Sequence, residues 1–233
     1  MIDQTIQRAK AYYFFSHALL YPDENWIEDA PLLEGILSDL EVPCDGPFAP
    51  VTLEALQAQH RQIFGLTGSL FYETELGLPH EFRQSQELAD IAGFYQAFGF
   101  QTGGAVRERP DHLATELEFM YLLALKEAYA VVNSMPQQAE ICVDAERKFT
   151  QDHLGRWIRS FCRSLERSTD ERLGEPGLQS PYVKLAKLAE AFLRAEAARL
   201  GIASDLQPAS LQSVTPFNPD FTCAGCAVAE TKF

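Results

Sequence analysis

No apolar stretch in this 233-residue sequence approaches the ~20 residues that span a bilayer. No alternating polar–apolar run reads as a strand, and no internal repeat or low-complexity tract occurs. Positive charge is scarce: 19 Lys+Arg against 33 Asp+Glu leave a net charge of −14. A nucleic-acid binder needs a basic surface to meet phosphates, so that class is excluded, and an anionic membrane surface is disfavoured. The acidic field would attract a basic partner, although acidity also serves solubility alone. The opening MIDQTIQRAKAYYFFSHALL has interspersed charge and no small-residue cleavage site, so it is not a signal peptide. The expectation is a soluble cytoplasmic protein without membrane insertion. Nucleotide and hydrolase signatures are missing too: no Walker loop, no GxGxxG, no GxSxG and no HExxH among the five histidines.

The 5 cysteines do not form a disulfide framework, being odd in number and mostly isolated. Cys142 and Cys162 fall in apolar helical patterns and read as buried thiols. Cys223 and Cys226 make a lone CxxC near the C-terminus. Two thiolates are half of a zinc or iron–sulfur site, so as metal ligands they would need a partner or a second copy. A redox pair would want a βαβ setting that this sequence lacks, and a pair with no specific role is the third alternative.

What is present is helical periodicity nearly throughout. Residues 2–20 place Ile2, Ile6, Ala9, Tyr13 and Leu20 on one face. A short helix is expected over 26–40, and VPCDGPFAP (42–50) is a loop by its prolines and glycine. Thr52 suits the N-cap of a helix whose Leu53, Leu56 and Ile63 face inward. Gly65 to Pro79 reads as a long loop, and such loops are often functional. Helices follow over 84–98, with Leu88, Ile91, Tyr95 and Phe98 aligned, and from Pro110 to about Asn133. The latter is apolar nearly all round, as a central helix of a bundle is. Two more are expected at 136–150 and 152–167, the second striped by Leu154, Trp157, Ile158, Phe161 and Leu165. After a loop at 168–181, residues 182–200 close the bundle with Gly201 as C-cap. The fold expected is all-α: one helical domain over 1–202 and a polar tail over 203–233.

The most informative segment is Arg107-Glu108-Arg109-Pro110-Asp111-His112, leading into the central helix. Structurally it is a well-made helix start, with Pro110 at the first helical position and Asp111 at the positive end of the dipole. Functionally it sets a carboxylate beside an imidazole, with Glu108 just before them. Residues 70–118 concentrate acids (Glu73, Glu75, Glu81, Glu87, Asp90, Glu108, Asp111, Glu116, Glu118) against Arg83, Arg107 and Arg109. A solvated face explains that; so does a groove for a positively charged ligand. Asp111-His112 also raises a helical metal- or nucleotide-dependent hydrolase, although the order is Asp-His and no second His/Asp pair accompanies it.

The ordered set of motifs resembles the TorD/DmsD/NarJ family of molybdoenzyme maturation chaperones. Glu108-Arg109-Pro110-Asp111-His112 resembles that family's acidic-Pro-Asp-His signature, followed by ELEFM (116–120). Phe71-Tyr72-Glu73-Thr74-Glu75 resembles its Tyr-Glu-Ser/Thr loop, QELADIAGFYQAFGF (86–100) its aromatic-ended helix, and FTQDHLGRWIRSFCRSL (149–165) its His-Leu…Trp…Phe…Leu helix. The subgroup resembled most is the delta proteins of type II dimethyl sulfoxide reductase-like enzymes. One departure is Arg109, which stands between the glutamate and the proline. The resemblance implies an all-helical bundle of the TorD/NarJ type, not an enzyme, that binds the apo catalytic subunit of a dimethyl sulfoxide reductase-family molybdoenzyme, often through its twin-arginine leader. It implies help in inserting bis-molybdopterin guanine dinucleotide, with no cofactor stably bound and at most transient contact with guanine nucleotide or that cofactor. The residues expected to meet client or leader are Tyr72, Glu73, Glu75, Glu108, Pro110, Asp111, His112 and Glu116.

Overall fold

A computed structural model describes residues 2–65, 69–77, 81–102, 108–173 and 180–202. Cys223 and Cys226, Arg107 and the 203–233 tail lie outside the described residues. The described elements are α1 (Ile2–Ala18), α2 (Ala30–Asp39), α3 (Leu53–Phe64), a 3-10 turn (Ser69–Phe71), α4 (Glu73–Gly77), α5 (Glu81–Phe98), α6 (Leu113–Val132), α7 (Pro136–Phe149), a π turn (Thr150–Leu154), α8 (Gly155–Leu173) and α9 (Pro181–Arg199). Among the described residues there is no strand, only an isolated antiparallel bridge between Tyr72 and His112. The all-α expectation holds.

Local chemistry sets most helix ends. Thr52 accepts a hydrogen bond from the Ala55 N–H at 3.3 Å, the side-chain cap its residue type suggests. At the end of α9, Gly201 takes a left-handed φ of 70°. The Ile202 N–H then reaches the Ala197 carbonyl and the Gly201 N–H that of Ala198, the paired bonds of a Schellman turn. α6 ends the same way on Ser134, with the Met135 N–H on Ala130 O. Pro136 opens α7, where its missing N–H leaves no bond unmade.

α6 is the central rod. α1 lies along it on one side and α7 on another, and α8 pairs with α9. Leu113, Leu117, Phe119, Met120, Leu123 and Ala124 are all buried, as the apolar run required. Fully buried aromatics fill the interior, with Phe119 meeting Phe149 edge-on at 4.8 Å and Tyr12 meeting Phe192 at 4.8 Å.

Three expectations need correction. First, of the face expected for α1, Ala9 is buried and Ile6 and Leu20 are half-buried, but Ile2 and Tyr13 are exposed. The helix buries Arg8, Ala11, Tyr12, Phe15 and Ala18 beside Ala9. The buried face is offset by about one residue step from the expected one and includes Arg8, which lies inside among three carboxylates. Second, the loop expected over Gly65–Pro79 contains α4. Third, the chain between α7 and α8 continues through a π turn, and α8 persists to Leu173, past the loop start expected at 168.

Arg8 is the hub of a buried ion-pair cluster. Its Nε donates to Glu196 on α9 at 2.9 Å, Nη1 to Glu127 on α6 at 3.0 Å and Nη2 to Glu146 on α7 at 2.6 Å. Arg199 closes the ring onto Glu146 and Glu196, and the Tyr12 hydroxyl donates to Glu196 at 3.3 Å. Burial alone would lower the Arg8 pKa, but Glu196, Glu146 and Glu127 raise it above its ordinary value. Burial, with Glu127 and Glu196 adding to it against Arg8 and Arg199, lifts Glu146 to about 7. Arg8→Met should therefore strand buried carboxylates and cost ~3–5 kcal/mol. Leu117→Ala, which opens a cavity, should cost ~2–5 kcal/mol. Urea unfolding at pH 7 measures both, and a loss under ~1 kcal/mol for Arg8→Met would show that water reaches those carboxylates.

Candidate functional site

The short bridge between Tyr72 and His112 brings α4 against the start of α6. The Glu73 N–H donates to the Asp111 carbonyl at 3.0 Å. Asp111 is fully buried, and its carboxylate points at α4 rather than along the α6 dipole. It accepts from the Thr74 hydroxyl at 2.7 Å, from Arg109 Nε at 3.0 Å and from Arg109 Nη2 at 2.9 Å. Pro110 lies before the helix, not at its first position. His112 is the N-cap, its Nδ1 accepting from the Ala114 N–H at 3.1 Å. With Nδ1 accepting, the ring hydrogen sits on Nε2, which faces Glu108 Oε2 at 4.0 Å.

Arg109, the residue that departs from the resembled signature, fills the space these groups enclose. Its guanidinium lies 4.3 Å from the Tyr72 ring centroid, forks onto both oxygens of Asp111, donates from Nη1 to Glu75 at 2.6 Å and from Nη2 to the Thr74 hydroxyl at 3.0 Å. The Tyr72 hydroxyl donates onward to Glu108 at 3.3 Å. An aromatic floor, a forked carboxylate and a second carboxylate are the parts of a guanidinium cage. Arg109 is 41% exposed, so the cage opens to solvent.

The other expected acids separate from this group. Glu73 and Glu116 are buried one layer deeper. Glu116 accepts from Trp157 Nε1 at 3.0 Å, while Glu73 meets His153 Nδ1 at 3.1 Å. The opposite ring nitrogen of His153 meets Asp90 at 3.1 Å. Burial, then the neighbouring Glu73 and Asp111, raise the Glu116 pKa well above the carboxylate range, against the hydrogen bond from Trp157. The acidic stretch is therefore two structures: a cage at the surface and a buried ladder behind it. Among the described residues, no three His, Cys, Asp or Glu side chains converge as a metal would require.

A profile of the nitrate reductase delta subunit family matches residues 52–163, which span the cage and the ladder. The selenate reductase assembly chaperone protein of Thauera selenatis is 31% identical over 182 residues, covering 76% of this chain and 86% of the relative. The chlorate reductase assembly chaperone protein of Ideonella dechloratans is 31% identical over 171 residues, covering 71% and 80%. The chain belongs to the nitrate reductase delta subunit family. A third relative of the same kind, the perchlorate reductase assembly chaperone protein of Dechloromonas aromatica, is 27% identical over 177 residues.

Sequence reasoning grouped eight residues; the structure places Tyr72, Glu75, Glu108, Pro110, Asp111 and His112 together and sets Glu73 and Glu116 deeper, behind them. Sequence reasoning missed Thr74 as a ligand of Asp111, Arg109 as the cage's occupant, and His153 with Asp90. One signal for the last was available: His153 and Trp157 are four residues apart, so both face the α4–α6 junction.

Burial, with His60 and Arg109 nearby, pushes the His112 pKa down to about 3, and burial holds His60 at about 4. Both rings are neutral when folded. An unfolded histidine takes its proton near pH 6.5. Their contribution is therefore present above pH 6.5 and lost as pH falls toward 3–4. His112→Asn keeps an acceptor for the Ala114 N–H but does not titrate. Between pH 6.5 and 4.5 the parent should lose stability faster than His112→Asn, the slopes differing by up to ~1.4 kcal/mol per pH unit. Urea unfolding at several pH values tests this, and parallel curves would show that His112 takes a proton in the folded state.

Proposed function

We propose that the chain is a dedicated assembly chaperone, working in the cytoplasm, for the apo catalytic subunit of a dimethyl sulfoxide reductase-family molybdoenzyme. It holds that subunit, with the twin-arginine leader engaged, until bis-molybdopterin guanine dinucleotide is inserted. The relatives support the coarse role, being selenate, chlorate and perchlorate reductase assembly chaperones. The cofactor is the client's cargo, and any contact with it or with free guanine nucleotide is transient. No helix among the described residues is long and apolar enough to cross a membrane, which agrees with a partner met in solution.

One observation carries the leader reading. Tyr72, Thr74, Glu75 and Asp111 already bind a guanidinium, that of Arg109. A leader arginine has the same planar, forked donors, and a lysine does not. Arg109 is then a placeholder that an incoming arginine exchanges with, and its partial exposure lets the exchange proceed from the solvent side. The hydrolase reading is less well supported. It needs Asp111 and His112 to face one point, whereas Asp111 is consumed by Arg109 and Thr74, and His112 Nδ1 by the Ala114 N–H.

A leader peptide bearing two arginines should bind the full chain. Its twin-lysine version should bind about tenfold or more weaker, because the bidentate contact is lost. Raising salt should weaken the arginine peptide, since the cage is open to solvent. Arg109→Ala should tighten it by removing the internal competitor. Titration calorimetry at low and high ionic strength measures all three. Equal affinity for both peptides at both salts would assign docking to an apolar surface or to the body of the client.

A further inference from the structure

Behind the cage lies a buried group that the guanidinium contacts do not use. His153 sits in the π turn Thr150–Leu154, nearly inaccessible, with its ring centroid 5.1 Å from that of Phe149 and 5.8 Å from that of Phe94. Each ring nitrogen meets a carboxylate at 3.1 Å: Nδ1 meets Glu73 and Nε2 meets Asp90. A neutral imidazole carries one hydrogen and can donate to only one of them; the imidazolium donates to both.

Glu73 is the first residue of α4 and lies between Tyr72 and Thr74, two members of the cage. Its carboxylate is buried, so its position fixes where α4 sits. Asp90, on α5, is 62% exposed and connects the ladder to solvent. On the far side of Glu73 is Glu116 of α6, whose Oε1 is buried with no hydrogen-bond partner. That atom is satisfied when Glu116 carries a proton and donates to its acidic neighbour.

We propose that protonated His153 is a positioning residue for the cage: it holds Glu73, and through Glu73 the whole of α4, so that loss of its proton releases the Tyr72–Glu75 face. The groups around it favour this arrangement. Glu73 from α4 and Asp90 from α5 touch the ring; Glu116 of α6 stands behind Glu73; Glu87 of α5 faces Arg156 of α8 at 4.0 Å; Asp152 precedes the ring on its own turn and is exposed. Arg156 is thus matched by a carboxylate from α5. Burial alone would lower the His153 pKa, but the hydrogen bonds and charges of Glu73 and Asp90 raise it above 6.5. The sign follows: the hold is complete below pH 6.5 and is lost as pH rises through the folded value. A π turn is an uncommon feature that recurs at functional sites, and here it aims this ring inward.

The proposal rests on the chaperone reading only in taking α4 as the docking face. Its test uses the free full-length chain, so it succeeds or fails whether or not a leader peptide binds. The His153 ring is followed by NMR on histidine-labelled chain, assigned by its disappearance in His153→Gln. Hydrogen exchange of the 72–77 amides is measured across pH 5.5–9. The ring should titrate above pH 6.5. Between pH 6.5 and that midpoint the 72–77 protection factors should fall by up to about tenfold per pH unit, the signature of one linked proton, and level off above it. Asp90→Asn, a change at the exposed end that leaves the core intact, should move both midpoints to lower pH together. His153→Gln should make the protection factors independent of pH; if it fails to fold, Asp90→Asn decides alone. Constant protection factors through the His153 titration, or an Asp90→Asn midpoint that does not move, would overturn the proposal.

Discussion

A single buried guanidinium fixes the frame of this protein. Arg8 enters from α1 and meets carboxylates from α6, α7 and α9, so four helices share one charge. A buried cation with three acidic partners tolerates little displacement, because any helix that slides leaves a charge desolvated without its counterion. The three carboxylates around Arg8 favour the rotation of α1 that turns Arg8 inward. That choice also explains why α1 exposes Tyr13 and Ile2 while burying an arginine.

The Arg8 knot engages α6 near its C-terminal end, at Glu127, whereas the cage is built at its N-terminal end, at Asp111 and His112. Fifteen residues of helix at ~1.5 Å each separate His112 from Glu127, about 22 Å. One end of the rod is anchored by charge, and the other carries side chains whose bonds can be exchanged. The signature residues divide accordingly. Glu73, Asp111 and Glu116 are buried and build the junction; Tyr72, Glu75, Glu108 and Arg109 face outward to varying degrees. A motif of this kind looks like a binding sequence and is also a folding instruction.

Much of the frame was legible because it rests on local rules. Apolar period marked α6, hydroxyl chemistry marked the Thr52 cap, and glycine marked the end of α9. What escaped depends on residues far apart in the chain. Arg8 gives no hint by itself that it is buried, since its partners lie 119 to 188 residues away. The same holds at the site. Pro110 and Asp111 were placed at the helix start by local preference, but Thr74 and Arg109 outbid the α6 N-terminus for Asp111, and His112 took the cap. α4 is five residues long and has too little sequence to show a period.

The π turn between α7 and α8 has an evolutionary consequence. From Pro136 to Leu173 the chain is one rod carrying one residue more than a regular α-helix would need. The surplus is local, yet it sets the azimuth of everything after it. Losing one residue anywhere in 150–154 would turn α8 by about 100° relative to α7, since a helix advances 3.6 residues per turn. Trp157, Phe161 and Leu165 would then leave the interior together. Related chains can differ freely in loop length, but within this rod insertions and deletions should be almost unknown, and the five-residue turn should be kept as a unit of length even where its residues change.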